Sequence, residues 1–209
     1  MAGTIETRLA ALEAEVTALR DKDAIREVIH RYCRAADRCD LEAFKACYWP
    51  DGRDDHMFYG GNAWDFCDYV IPVLRKIEAS VHAITNTIIE LKGDRAFCES
   101  QWSVVHRLRK PDTSFLDYWH NGRYLDIFEK RDGEWRIYQR TIVGDMDRLI
   151  KIKDIRAMMY QGAERPAGKS GGRFPADPVY KGFDMAELVL DRPGMEDFWA
   201  GYLAMAEIL

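Results

Sequence analysis

Residues 4–20 place Ile5, Leu9, Leu12, Val16 and Leu19 at alternating steps of four and three, which predicts an amphipathic helix with a single apolar stripe. The stripe is too short for a long coiled coil and suits packing on one partner surface. Asp21 or Asp23 can cap a second helix, in which Ile25, Val28, Ile29, Tyr32, Cys33 and Ala36 make a broad apolar face. Asp40 opens a short third helix carrying Leu41, Phe44 and Tyr48, which Pro50 and Gly52 close. A short strand is expected near 55–59. Asn62 then caps a further helix with Trp64, Phe66, Tyr69, Val70 and Leu74, which Pro72 kinks or splits.

From about Ser80 to about Val143 the period changes from 3.6 to 2. Four runs fit it, 81–91, 95–109, 115–130 and 134–143, and Lys92-Gly93-Asp94, Lys110-Pro111-Asp112 and Asp132-Gly133 supply turn chemistry between them. Helices followed by a meander of long antiparallel strands predict an α+β fold, with helices covering one face of a curved sheet. Beyond 145 the character changes: 148–160 reads as helix, 161–182 is rich in Gly, Pro and Lys, and 185–209 suits one or two short helices around Pro193. The chain thus divides into a domain over 1–145 and a helical C-terminal extension over 146–209 that wraps this subunit or a neighbour.

Composition narrows the function classes. Lys and Arg total 30 against 35 Asp and Glu, a net charge of -5, so neither nucleic acid nor an anionic membrane is an expected partner. With 47% hydrophobic and 12% aromatic residues, the chain has material for a core and for an aromatic-lined pocket. No apolar run approaches the roughly 20 residues that span a bilayer, and the charged N-terminal segment is unlike a signal peptide. A soluble, cytoplasmic protein is expected. The five cysteines are odd in number and form no C-x-x-C pair, which favours reduced thiols over a disulfide framework or zinc knot.

Asp37 stands out. It falls four residues after Cys33 and eight after Ile29, continuing the apolar face, at a helix C-terminus where the macrodipole disfavours negative charge. Such a carboxylate is either frayed into solvent, or held by a structural arginine, or paired with a functional group. His82 is a natural partner: one strand face reads His82, Ile84, Asn86 and Ile88, and in the next strand His106 shares a face with Cys98, Ser100, Trp102 and Val104. A strand-borne imidazole acts as a base when an acid fixes its tautomer; otherwise it is a structural residue. In 54–59, Tyr59 and His56 can each donate a proton or orient a hydroxyl. Arg107 and Arg123 bind phenolate oxygens only if they point inward. Trp64, Phe66, Tyr69, Trp102, Tyr118 and Trp119 are candidates for a cavity lining or for plain core. Asp37, His82 and His106 also have the composition of a two-histidine, one-carboxylate iron site. No dinucleotide loop, P-loop or nucleophile elbow is present.

Taken in order, helix-borne Asp37, His82 in Ser80-Val81-His82-Ala83-Ile84-Thr85-Asn86, His106 in Val105-His106-Arg107-Leu108-Arg109 and the hairpin Glu129-Lys130-Arg131-Asp132-Gly133-Glu134-Trp135 resemble the SnoaL-like branch of the NTF2-like superfamily. The likeness covers roughly 8–145 and implies a cone-shaped fold that hosts dehydratases, isomerases, cyclases, dehydrohalogenases and binding modules. Within it the pattern is most similar to scytalone dehydratase and related cofactor-independent lyases, whose helix acid maps onto Asp37 and whose strand histidines map onto His82 and His106. Ala36, His56 and Tyr124 depart from that pattern, which leaves the acid that activates the leaving group displaced.

The resemblance implies no cofactor and no metal, a homo-oligomer associating through its sheet, and a small aromatic substrate. In this reading His82, oriented by Asp37, is the base; His106 and Tyr59 position or protonate a leaving hydroxyl; His56 and Trp102 line the pocket; Asn86, Arg107 and Tyr124 hold substrate oxygens. The insertion around 59–70 and the tail are similar to bacterial diarylpropane γ-formaldehyde lyases, which convert lignin-derived dimers to stilbenes. A steroid or polyketide isomerase or cyclase using the same pair, and a non-catalytic binding module, are the alternatives.

Overall fold

Thr4 opens the chain's first helix by accepting a bond from the Thr7 backbone N–H at 3.3 Å, and α1 then runs unbroken over Ile5–Arg38. The computed structural model describes residues 4–111, 114–152 and 171–188. The two helices expected before residue 38 are therefore one. No Gly or Pro interrupts the segment, and Asp21 is not a cap. Its Oδ1 instead accepts from Lys130 Nζ and Trp135 Nε1, both at 2.8 Å, which ties the middle of the helix to the sheet. Only the second half is buried, through Ile25, Val28, Ile29, Tyr32, Cys33 and Ala36. The helix stops at Cys39, which adopts the left-handed conformation (φ 53°) and donates its N–H to Ala36 O at 3.1 Å.

Asp40 caps α2 (Leu41–Lys45) through the Ala43 N–H. Tyr48 then begins β1 (Tyr48–Asp55) instead of ending a helix, so Pro50 and Gly52 lie inside a strand. The strand tolerates them because its pairing shifts register between Tyr48 and Arg53. At Gly52 a Cβ would stand 2.8 Å from Trp49 O. The short strand expected at 55–59 is replaced by β2 (Gly60–Asn62). Asn62 caps α3 (Ala63–Leu74), accepting from Trp64 N at 2.8 Å and Asp65 N at 3.2 Å; Pro72 lies in its last turn and does not split it.

β3 (Ala79–Lys92), β4 (Arg95–Arg109), β5 (Phe115–Arg131) and β6 (Glu134–Ile152) complete one curved sheet of order β2-β1-β6-β5-β4-β3. All pairings are antiparallel except β1 with β6. This is the α+β fold anticipated from the periodicity, in the cone form the resemblance implies, with α1 and α3 packed against the sheet. β6 corrects the sequence reading at its end: 148–152 is strand, not helix, because β5 offers a ladder as far as Phe115, which pairs with Ile152. The sheet thus overruns the boundary expected at 145. The expectations for 153–170 and 189–209 lie outside the described residues. Among the described residues no helix is long and apolar enough to cross a membrane.

One irregularity decides which side chains enter the cone. β3 and β4 shift register between Ile84 and Thr87. Ser80, His82 and Ile84 are the more buried set before the shift, and Thr87, Ile89 and Leu91 after it. The extra residue reverses the alternation, as a bulge must.

Candidate active site

Asp37 sits in the last turn of α1, on the face that buries Cys33 and Ala36, and its residue is only 6% exposed. β3 is an edge strand packed beside this turn. The carboxylate takes two donors from one residue: His82 Nδ1 lies 2.7 Å from Oδ1, and the His82 backbone N–H donates to Oδ2 at 2.9 Å. A carboxylate disfavoured by burial and by the helix dipole is thus compensated by two hydrogen bonds. With the Nδ1 proton held by Asp37, His82 Nε2 carries the free lone pair and is the basic atom.

His106 and His120 extend the cluster along the inner face of the sheet. Ring centroids are 5.8 Å apart for His82 and His106, 5.0 Å for His106 and His120, and 5.2 Å for His120 and Trp102. Tyr118 stacks on His120 at 4.8 Å and Tyr124 packs on Trp102 at 5.7 Å. Burial, followed by the neighbouring His82 and His120 rings, drives His106 down to about 3. Burial and His82 lower His120 to about 4. Both imidazoles are neutral at physiological pH. Their Nε2 atoms are buried without a hydrogen-bond partner, as are Trp102 Nε1 and Ser100 Oγ. Unpaired buried polar atoms are rare in native proteins and mark groups awaiting a ligand or water.

A second acid–histidine pair comes from β1. His56 Nδ1 lies 2.5 Å from Asp54 Oδ1, and Tyr48 Oη donates to Asp54 Oδ2 at 2.5 Å, with Asp54 fully buried. Phe66 stacks on the His56 ring at 4.2 Å. Beneath both pairs, Arg140 forms a fully buried bidentate pair with Asp126 (2.8 and 2.7 Å) and lies against the rings of Tyr32 and Tyr124.

The structure does not bring every predicted residue here. Asn86 is exposed and donates to Gln101 at 3.1 Å, because the β3 bulge turns it to the other face. Arg107 alternates with His106, points to the opposite face of β4 and forms a bidentate pair with Asp117 at 2.7 Å. Arg123 likewise pairs with Asp145. Tyr59 Oη donates to the Asn62 carbonyl at 2.7 Å. It lines an open cleft of about 440 Å³ with Arg53, Asp54, Met57, Phe58 and Arg140, which none of the three clustered histidines borders. Trp64 donates to Lys45 O, and Tyr69 is exposed. Asp37, His82 and His106 lie in series instead of converging on one point, and no metal-holding group of three His, Cys, Asp or Glu occurs among the described residues. Cys98 is buried and its thiol is pushed up to about 12 by that burial.

Two contributors escaped the sequence reading. His120 is two residues from Tyr118 and four from Tyr124, so the period-2 rule applied to β5 as it was to β4 reveals it. Arg173, from the extension, donates to the backbone carbonyls of Asp37, Leu74 and Ile77, at the C-terminal ends of α1 and α3. Around it Phe174 N donates to Arg38 O, Asp177 pairs with Arg38 at 3.2 Å and Tyr180 Oη donates to Asp40 at 2.9 Å. These bonds join residues 173–180 to the Asp37 end of α1 within the chain; no sequence pattern signals them.

A helix-covered curved sheet with a buried acid–histidine pair and unpaired polar groups on its inner face is the arrangement of an NTF2-like cone. The chain belongs to the family described as the SnoaL-like domain, which matches residues 17–141. Among solved structures it is similar to a Novosphingobium aromaticivorans protein proposed to be a scytalone dehydratase (20% identity, covering 75% of this chain and 99% of that one, TM-score 0.59). It is also similar to the hexachlorocyclohexane dehydrochlorinase LinA-type3 from Novosphingobium barchaimii (16% identity, 65% and 94% covered, TM-score 0.56). A third is the Kfla4162 protein from Kribbella flavida (18% identity, 63% and 95% covered, TM-score 0.58). At these identities the likeness is one of fold.

Proposed function

We propose that this protein is a cofactor-independent lyase acting on a hydroxylated aromatic substrate. The observation that carries the reading is the buried Asp37–His82 pair facing neutral His106 and His120 and the Trp102 N–H, whose polar atoms have no protein partner. In this reading His82 Nε2 is the general base. His106, His120 and Trp102 hydrogen-bond substrate oxygens as neutral groups, and Tyr124 and Tyr118 pack against the ring. His56, backed by Asp54 and Tyr48, supplies the acid that the departure at Ala36 displaces. Tyr59 is less suited, its hydroxyl proton being committed to Asn62.

The substrate that suits these groups is a phenol para to a benzylic alcohol. Loss of the phenolic proton to a base, with protonation and departure of the benzylic hydroxyl, gives water and a quinone methide. If the adjacent carbon bears a CH2OH group, His82 removes its hydroxyl proton, the C–C bond breaks, formaldehyde leaves and the electron pair restores the aromatic phenolate, which is reprotonated. The sum is diarylpropanediol to stilbene, water and formaldehyde.

The purified protein should convert a phenolic 1,2-diarylpropane-1,3-diol to a stilbene, read by its near-ultraviolet absorbance, with formaldehyde released in equal amount. The 4-O-methyl ether, unable to form the quinone methide, should be inert. Neither product from the phenol removes the formaldehyde-lyase reading; unchanged turnover in a folded H82A variant removes the Asp37–His82 pair from the mechanism.

A further inference from the structure

The N-terminal half of α1 has an apolar stripe without a partner. Ile5, Leu9, Leu12, Val16 and Leu19 are each between 44% and 79% exposed. The stripe points away from its own subunit. With Leu9 and Val16 at heptad positions a, and Ile5, Leu12 and Leu19 at d, Asp21 falls at f and is the residue bound to Lys130 and Trp135 of the sheet. The buried residues Ile25, Val28, Ile29 and Tyr32 fall at c, f, g and c, again off the seam. Beyond Leu19 the same a and d positions become Asp23 and Arg26, so the seam ends where the helix joins the body. A helical stretch of this length gains little stability alone and draws it from packing.

The flanking charges select the occupant. Positions g are Arg8, Glu15 and Lys22, and positions e are Glu13, Arg20 and Glu27. In a parallel, in-register pair each g residue meets the following e residue of the other helix. Within the seam Arg8 then faces the partner's Glu13 and Glu15 the partner's Arg20, and both pairs are of opposite sign. An antiparallel pair sets e against e and, with Leu9 opposite the partner's Leu19, brings Glu13 against the partner's Glu13. Val16 at a with Leu19 at d, in the heptad nearest the body, is the combination that favours two strands. We propose that this segment pairs with the same segment of a second copy of the chain as a parallel two-stranded coiled coil. This interface is separate from the active site and from any association through the sheet.

The test introduces L19C in the full chain. The five native cysteines are all buried, so a disulfide formed on mild oxidation reports the new position. Parallel in-register pairing places residue 19 beside its own copy, and a covalent dimer is expected. R8E in the L19C background should lower the cross-linking yield several-fold by setting glutamate against Glu13, and adding E13R should restore it. Far-ultraviolet circular dichroism and turnover stay unchanged in all three. A folded L19C protein that remains un-cross-linked, or a yield indifferent to R8E and its rescue, overturns self-pairing.

Discussion

Replacing Asp37 by Asn changes one atom and should switch off His82 without unfolding the protein. The carboxylate accepts through both oxygens, from the His82 backbone N–H at 2.9 Å and from Nδ1 at 2.7 Å. An amide has one oxygen, and its NH2 must face one of these two sites. If the NH2 faced the backbone N–H, a buried donor would lose its acceptor, at a cost of about 1–3 kcal/mol. If it faces Nδ1, the imidazole answers by moving its proton to Nε2, and every hydrogen bond survives. The second arrangement wins by that margin, and it places a proton on the atom that must act as base. Turnover should fall about 10³- to 10⁴-fold, the scale of a wrong-tautomer defect. Stability should change by no more than about 1–2 kcal/mol, because loss of charge-assisted bonds is offset by removal of a buried charge at a helix C-terminus. Nitrogen-15 NMR of the histidine rings reads the tautomer directly and independently of substrate. Wild-type protein should show His82 protonated at Nδ1, and D37N should show it protonated at Nε2. A D37N protein with the wild-type tautomer, or with the altered tautomer and turnover within tenfold of wild type, refutes the reasoning.

Three further outcomes follow from other parts of the cone. D126A leaves the Arg140 guanidinium buried without its partner and should cost about 3–5 kcal/mol in urea denaturation, whereas the paired change D126L/R140M should recover most of it; a single-variant loss below about 1 kcal/mol contradicts the packing described. G122A has nowhere to go, since its Cβ would stand 2.0 Å from Val143 O and 2.6 Å from Trp102 Cζ2; a loss of at least about 2 kcal/mol, together with shifted Trp102 fluorescence, is expected. His106 titrates near 6.5 in the unfolded chain and about 3 in the folded one, so between those values the unfolded state binds the extra proton and stability falls as pH falls. Going from pH 6.5 to 5 should remove up to about 2 kcal/mol through this group, and H106N should flatten that part of the stability profile; an unaltered slope would show that His106 is solvated.

The elements that could be read from the sequence are those whose local pattern and tertiary context agree. Period-2 alternation located β3 to β6 and put His106 beside Trp102 on one face, and an acid on an apolar helix face identified Asp37. Asn86 faces away from the site because a single extra residue between Ile84 and Thr87 inverts the strand, and nothing in Ile84-Thr85-Asn86-Thr87 marks a bulge. The sequence pattern divides α1 in two because Asp21 has the chemistry of a cap, while its partners, Lys130 and Trp135, are more than a hundred residues away. Arg140 and Asp126 were likewise invisible, since charged residues at those positions read as solvent-facing until the sheet closes over them.

The charges around the histidine cluster bear on what it can bind. Arg140 is bound to Asp126, Arg107 to Asp117, and Arg173 to three backbone carbonyls. His106 and His120 are neutral at physiological pH because burial removes the solvation a proton there would need. Arg140 keeps one buried nitrogen, Nη1, without a partner, whereas the unpaired atoms of the cluster itself, His106 Nε2, His120 Nε2, Trp102 Nε1 and Ser100 Oγ, are neutral. A carboxylate or phosphate entering such a site would exchange its hydration for neutral donors, and a buried charge so compensated is costly. A phenol or alcohol gives up far less and can satisfy the same atoms. In the proposed reading the Nε2 of His82, whose Nδ1 is held by Asp37, takes the hydroxyl proton of such a neutral ligand.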